Sequence, residues 1–402
     1  MSDSRALQTS AIRILPTGVS KDHFVSEDWL ERDLAAVFRP RWLYVGHASE
    51  LPNPGSFITY SLGKDEVIIC RTLEMSLVAY YNFCPHRGHR LCTQDRGQIV
   101  GRNFVCPYHG WSYSKDSGAC VAATRMNKDF DRSPYALQKA WVEDFNGLIF
   151  VSLADHQPAA VADATRHLSS GAGLGGYDTS RLKVAATLHF EVEANWKVLR
   201  ENDDECYHCQ LNHPELVQGY DPWHGFTVVE DLDNPQHLWT LDDWALLELG
   251  NAYNAKRVSR VLLPRTDGKD GADNQDVQFF FQPGGHLLLQ RDHAWMWSVK
   301  PLAPQRTLVS QQWFVAQNAV EGEDYDVATL MELFAVTIKQ DTDLCEQVQR
   351  GLRMRRYSPG PLNPHHQAPA AAFYQWYERC LASLKIANSV IEAAPLPSAS
   401  PS

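Results

Sequence analysis

Apolar positions recur at helical spacing from Trp29 to Phe38, which predicts a short helix. The period then drops to alternation. FITYSL, DEVIICRTL and SLVAYYNF are short β-type runs set among the turn signals PNPGS and LGKDE. They predict a small all-β domain over about residues 45–152. After NGLIFVSLAD the texture shifts, and residues 159–170 read as helical. LKVAATLHFEVE reads as a strand leading into a helix that begins near Asn195. VQFFFQPGGHLLLQ, HAWMWSVKPL and RTLVSQQWFVAQ read as three long antiparallel strands. A long helix is predicted from about Tyr325 to Leu352, and a last one over about 369–388. Strands between long helices in this order predict an α+β unit, a curved antiparallel sheet wrapped on helices. That unit takes residues 153–402 together with 1–44, with a disordered Pro/Ser-rich tail from about 391.

Composition changes this picture little. Hydrophobic content of 44% and charged content of 21% are those of an ordinary globular chain. The net charge of -11 argues against a nucleic-acid partner. No apolar run reaches the roughly 18 residues of a membrane span, and MSDSRALQTS lacks a secretory h-region. The expectation is a cytoplasmic protein. Nine cysteines, an odd number, then read as buried thiols or metal ligands. GAGLGG at 171–176 matches GxGxxG but follows a polar helix-like segment, so it reads as a loop.

The chemistry sits in two places. Residues 84–89 are CPHRGH and residues 106–111 are CPYHGW. Each short loop offers one thiolate and one imidazole: Cys84 and His86, then Cys106 and His109. A mixed-ligand [2Fe–2S] centre needs two Cys on one iron and two His on the other. Two Cys and two His also suit structural zinc, but zinc motifs usually pair Cys with Cys and His with His. Downstream, ENDDECYHCQLNHP packs four carboxylates, two histidines and two cysteines into fourteen positions, 201–214.

CPHRGH with CPYHGWSY resembles the Rieske domain of Rieske non-haem iron oxygenase α subunits. The resemblance runs from about Phe38 to Leu352. The family gap between the loops is often a residue or two shorter, so the hairpin here is slightly extended. The implied fold is a small all-β Rieske domain plus a helix-grip, START-like catalytic domain. NWKVLRENDDECYHCQLNHP resembles the family's mononuclear-iron motif, with His208 and His213 as ligands. Two His and one carboxylate leave positions open for dioxygen and substrate. On a continuous helix Glu201, Glu205 and His208 share one side, and Pro214 takes His213 out of helical geometry.

The third ligand is a carboxylate of the long helix, Asp341 or Asp343. Leu330, Phe334, Ile338, Cys345, Val348 and Leu352 form an apolar stripe; Asp341 falls inside it and Asp343 opposite. A buried lone carboxylate needs a partner, and the family pattern also lands on Asp341. By resemblance, Glu205 bridges to a Rieske His109 across a subunit boundary, which implies a ring of subunits, a homotrimer. Asn202 lies near the metal by the same likeness. Cys206 and Cys209 read as core thiols.

The resemblance implies electrons from NAD(P)H through a separate flavin/iron–sulfur reductase, passed by the cluster to a mononuclear Fe(II) that takes dioxygen. ENDDECYHCQLNHPEL and HHQAPAAAFYQWYERC are most similar to members acting on quaternary ammonium compounds of the glycine betaine, proline betaine, carnitine or choline type. Aromatic cages bind such cations; Trp223, Trp239 and Trp244 lie between the iron motif and the sheet. Aromatic ring dihydroxylation or O-demethylation is the second expectation, and a non-catalytic iron–sulfur carrier the third.

Overall fold

The structure is a computed structural model. It describes residues 18–164, 174, 176–218, 244–249, 258–266, 268, 276–364 and 366–393. Near its start α1 (Asp22–Val25) and α2 (Glu27–Asp33) bury Phe24, Leu30 and Asp33, and α2 runs on as a π-turn over Leu34–Phe38. The predicted helix is present, more loosely wound at its end.

Ten strands follow: β1 (Leu43–His47), β2 (Ser56–Leu62), β3 (Asp65–Arg71), β4 (Leu77–Tyr81), β5 (Arg96–Gln98), β6 (Asn103–Val105), β7 (Ser112–Ser114), β8 (Cys120–Ala122), β9 (Lys139–Phe145) and β10 (Leu148–Ser152). Seven form an antiparallel sheet in the order β1-β10-β9-β4-β3-β2-β5; β6, β7 and β8 form a second, smaller one. β3 shows why its sequence is apolar throughout. Val67 and Ile69 enter the large core shared with the helices, while Ile68 and Cys70 enter a core around Cys84, Cys106 and Trp111. A strand covered on both faces cannot alternate with polar residues.

Beyond the short α3 (Val161–Ala164) comes β11 (Leu182–Val192), then α4 (Trp196–Asp203), whose N-cap Asn195 accepts from the Lys197 N–H at 3.0 Å. After the short α5 (Cys209–Asn212) the chain adds β12 (Trp244–Leu249), β13 (Asp276–Phe281), β14 (Gly285–Leu289), β15 (Ala294–Ala303) and β16 (Arg306–Ala316). The sheet order is β11-β16-β15-β14-β13-β12, all antiparallel. Its two faces separate cleanly. Leu288, Trp295, Trp297, Val309 and Trp313 face the helices; Leu287, Leu289, Met296 and Phe314 pack toward Tyr44 and Phe150. The helices are α6 (Val327–Leu352) and α7 (Ala368–Ala393), and Asp326 caps α6 by accepting from the Thr329 N–H at 2.8 Å.

Two sequence expectations need correction here. VQFFFQPGGHLLLQ is not one strand but the hairpin β13–β14, turning at Pro283 and Gly284. A Cβ on Gly285 would run into the Phe281 ring, and one on Gly284 into Val299, so only glycine fits. Val348 is half exposed, unlike the other members of the α6 stripe. Of the helix expected over 159–170, Val161–Ala164 is helical as α3, and residues 165–170 lie outside the described residues. Trp223, Trp239, most of GAGLGG and both chain ends lie outside the described residues.

One buried hub ties three helices together. The Lys197 ammonium of α4 pairs with Asp33 of α2, both fully buried. Trp196 Nε1 donates to Asp33 Oδ2 at 2.8 Å, and the Tyr377 hydroxyl of α7 donates to Oδ1 at 2.6 Å. Burial lowers the Lys197 pKa, and the Asp33 charge opposes that.

Candidate metal centres

The two hexapeptides fold alike. In CPHRGH the Cys84 carbonyl accepts from the Gly88 N–H and the Cys84 N–H donates to the His89 carbonyl, both at 2.8 Å. In CPYHGW the Cys106 carbonyl accepts from the Gly110 N–H at 3.0 Å and the Cys106 N–H donates to the Trp111 carbonyl at 2.8 Å. Gly88 and Gly110 have φ of 74° and 72°, the left-handed region that side chains avoid. The loops bring Cys84 and Cys106 into side-chain contact, both buried, and set the His86 and His109 rings 4.8 Å apart. His86 stacks flat on Trp111 at 4.5 Å, and its Nδ1 is buried without a partner. An orphaned buried ring nitrogen beside two buried thiols is what a cluster site requires. The Tyr113 hydroxyl lies 2.9 Å from Cys84 Sγ, placed to donate to a thiolate. His109 is exposed. Sulfur ligands therefore sit inside and one imidazole edge sits at the surface, where an electron can leave.

The two glycines make a graded test. A Cβ on Gly88 would meet nothing within 4 Å, whereas one on Gly110 would sit 3.1 Å from Thr124 Oγ1. Gly88→Ala is expected to cost only the left-handed backbone penalty, about 1–2 kcal/mol. Gly110→Ala is expected to lose visible cluster absorbance at a lower temperature than Gly88→Ala. Identical loss curves would contradict this.

In the catalytic half, α4 ends at Asp203, so Glu201, Glu205 and His208 do not share one continuous helix. The chain turns, and His208 precedes α5 while His213 follows it with φ -122° and ψ 70°. The turn still brings the groups together. His208 Nε2 is 3.1 Å from His213 Nε2 and 3.0 Å from Asp341 Oδ1, and His213 Nε2 is 3.0 Å from the same oxygen. Three donors at mutual distances of 3.0–3.1 Å form a nearly equilateral triangle. One face of an octahedron with bonds of about 2.1 Å has edges of about 3.0 Å, while a tetrahedron gives about 3.4 Å. The donor set therefore fits a six-coordinate ion with three positions left open. Asp343 is 62% exposed and paired with Lys339.

Outer contacts orient these three side chains. His208 Nδ1 donates to Glu205 Oε1 at 3.2 Å, and His213 Nδ1 donates to Gln340 Oε1 at 2.8 Å. Each ring thus turns its Nε2 lone pair inward. Burial lowers the His208 pKa, but hydrogen bonds to Asp341 and Glu205 outweigh it and carry it to about 9. Burial raises the Asp341 pKa, and the two imidazoles more than reverse that. Asn202 Nδ2 lies 3.2 Å from His208 Nε2. Glu205, Asn202 and His208 line a cavity of about 350–400 Å³, with a value of 380 Å³. Cys206 and Cys209 are buried but not free thiols: a disulfide joins them around Tyr207 and His208, with Cα atoms 4.9 Å apart.

Gln340 and Tyr113 carry no signal that their neighbours' motifs would have assigned. Gln340 also donates to Glu215 at 2.8 Å, so it fixes His213 from a helix 127 residues away in sequence.

The chain matches the Rieske [2Fe-2S] domain over residues 41–145 and the ring hydroxylating alpha subunit (catalytic domain) over residues 179–383. It is 33% identical to the glycine betaine monooxygenase oxygenase subunit of Pseudomonas aeruginosa, with 91% of each chain covered. The chain is a Rieske non-haem iron oxygenase α subunit. The family's cofactors are a [2Fe–2S] cluster and a mononuclear iron, and this oxygenase belongs to a system in which a reductase supplies electrons from NAD(P)H. Solved structures agree in fold. The quaternary ammonium Rieske monooxygenase CntA in complex with L-carnitine superposes with a TM-score of 0.71 at 23% identity, covering 90% of this chain and 95% of that one. Naphthalene 1,2-dioxygenase from Rhodococcus sp. gives 0.68 at 17%, covering 91% and 94%. Two different substrate classes on one fold show that the fold alone does not select the substrate. Among the described residues no helix is long and apolar enough to cross a membrane.

Proposed function

We propose that this oxygenase oxidises a C–H bond beside the nitrogen of a quaternary ammonium substrate: N-demethylation of a betaine-type compound, or hydroxylation of a carnitine or choline type. The observation that carries this is the 33% identity over 91% of the chain to a glycine betaine monooxygenase oxygenase subunit.

In this reading His208, His213 and Asp341 hold the mononuclear iron, and Cys84, His86, Cys106 and His109 hold the cluster. When bound, the cluster supplies electrons and the mononuclear iron activates dioxygen for C–H oxidation. The protein's own part is positional. Glu205 and Gln340 orient the two imidazoles. Glu205 further joins His208 to His109 of a neighbouring subunit, in a homotrimer. Its Oε1 is occupied by His208 and its Oε2 by the Tyr207 N–H, but each oxygen keeps a further lone pair. The exposed position of His109 supports the same arrangement. The Rieske domain is taken as 45–152 and the catalytic domain as 1–44 with 153–402. The shared core of Phe24, Leu34, Trp196 and Phe373 supports joining the N-terminal helices to the catalytic half.

A substrate panel tests the reading. Glycine betaine, proline betaine, carnitine and choline are compared with aromatic acids, with reductase and NADH present. Oxygen uptake coupled to formaldehyde or hydroxylated product is expected with one of the ammonium compounds. Coupling with aromatic acids alone would assign ring hydroxylation or O-demethylation instead.

A further inference from the structure

The reaction of an oxygenase that inserts one oxygen atom consumes protons: R–H + O2 + 2e− + 2H+ gives R–OH + H2O, with the electrons coming from the reductase through the cluster. The protons must reach a triad whose Asp341 and His213 are largely enclosed by protein. The geometry points to Glu201, paired with Tyr374, as the residue that supplies protons to the iron site through the cavity beside His208.

The cavity reaches the surface: its lining includes the exposed Tyr357, Gly360 and Pro361 together with Glu201, Asn202 and His208. At 380 Å³ it has room for roughly ten waters. Glu201 stands in its wall, one turn before Glu205, and Glu201 Oε2 accepts from the Tyr374 hydroxyl at 2.7 Å. Among the described residues, the titratable groups around it are Tyr374 of α7, Tyr357, Glu205, Asp204, Cys345 of α6 and His208, which lines the same cavity. His208, the one group here that can be cationic, pairs with Glu205 and Asp341 and not with Glu201. Burial raises the Glu201 pKa, the Tyr374 hydrogen bond opposes this, and the Glu205 charge adds to the rise. A carboxyl group so placed stores a proton at the inner end of a path to solvent.

Glu205 is given another task, orienting His208 through its Oε1. Asn202 cannot release a proton. Glu201 acts through water in the cavity and does not touch the triad. The inference rests on the oxygenase reaction and holds for any substrate of the panel above. Reduction of oxygen without substrate, O2 + 2e− + 2H+ to H2O2, needs the same protons.

The test is a single turnover of the chemically reduced holoenzyme. Reduced wild type, Glu201→Gln and Tyr374→Phe are mixed with oxygenated buffer, with and without glycine betaine, in H2O and in D2O. Reoxidation of the Rieske centre is followed by absorbance, and iron and sulfide are assayed on each sample. Glu201→Gln preserves shape and hydrogen bonding but carries no transferable proton. It is expected to slow reoxidation by about 100-fold, the lower range for a general acid. The solvent isotope effect should grow and the iron content should stay unchanged. Tyr374→Phe keeps the acid and is expected to slow the reaction less. Reoxidation of Glu201→Gln at the wild-type rate would overturn the proposal. So would a slow variant that has lost its mononuclear iron, since Glu201 would then be structural. Absence of product from glycine betaine with proton-dependent reoxidation intact would count against the substrate reading alone.

Discussion

Asp341→Ala removes the mononuclear iron and turnover together and leaves the protein red-brown. This is the expected result because Asp341 supplies the only carboxylate oxygen of the donor triangle, 3.0 Å from each imidazole nitrogen. Two neutral imidazoles alone hold a divalent ion weakly, and among the described residues no other acid is placed to step in. Asp343 points to solvent, where it pairs with Lys339, and Glu205 is on the far side of the His208 ring. Loss of an outer partner of a metal ligand already costs about 10–100-fold in affinity or activity, so loss of the ligand itself should exceed about 100-fold. The cluster is built from β4–β7 loops and does not involve α6, so its visible absorbance and its acid-labile sulfide should be unchanged. Asp343→Ala is the matched control and should keep both iron and turnover. Iron analysis and oxygen uptake on the two variants decide the matter. Retained activity in Asp341→Ala would move the third ligand elsewhere.

The choice between those two aspartates was legible because a helix converts sequence spacing into direction. Seven residues separate Phe334 from Asp341, nearly two turns, so both face the same side. The loops of the cluster were legible for another reason: Cys, Pro, Gly and His at fixed offsets admit few backbone paths, and both loops take the same one. Other features depend on contacts that no local pattern encodes. Glu201 meets Tyr374 across 173 residues, and Asp33 meets Lys197 across 164. The end of α4 was missed because its last turn is polar throughout. Arg200 pairs there with Asp203 at 2.7 Å and with Asp204 at 2.6 Å, and these ion pairs close the helix where an apolar pattern has nothing to say. The β13–β14 hairpin was hidden by its own burial. Both arms are buried on both faces, with Gln278 and His286 paired inside, so alternation is absent and only the Pro283-Gly284-Gly285 step marks the turn.

Asp33→Ala is expected to destabilise the oxygenase by about 3–5 kcal/mol, the cost of leaving one member of a buried ion pair unpaired. The variant strands the Lys197 ammonium at a place with no access to water. It also takes the acceptor from Trp196 Nε1 and from the Tyr377 hydroxyl. The surrounding rings soften this without curing it. The ammonium lies 4.9 Å from the Trp196 ring centroid, 5.4 Å from Tyr377 and 5.7 Å from Phe24. Such contacts contribute about 0.5–2 kcal/mol and do not replace a carboxylate. Because the hub joins α2, α4 and α7, its loss should lower the unfolding midpoint of the catalytic half while the cluster's absorbance at low temperature is unaffected. Adding Lys197→Met to Asp33→Ala removes the stranded charge and should recover part of the loss, since a buried pair can often be replaced by apolar groups at little cost. Thermal unfolding followed by circular dichroism measures both variants. If the double variant were no more stable than Asp33→Ala, the unpaired ammonium would not be the source of the destabilisation, and the two orphaned hydrogen-bond donors would carry it instead.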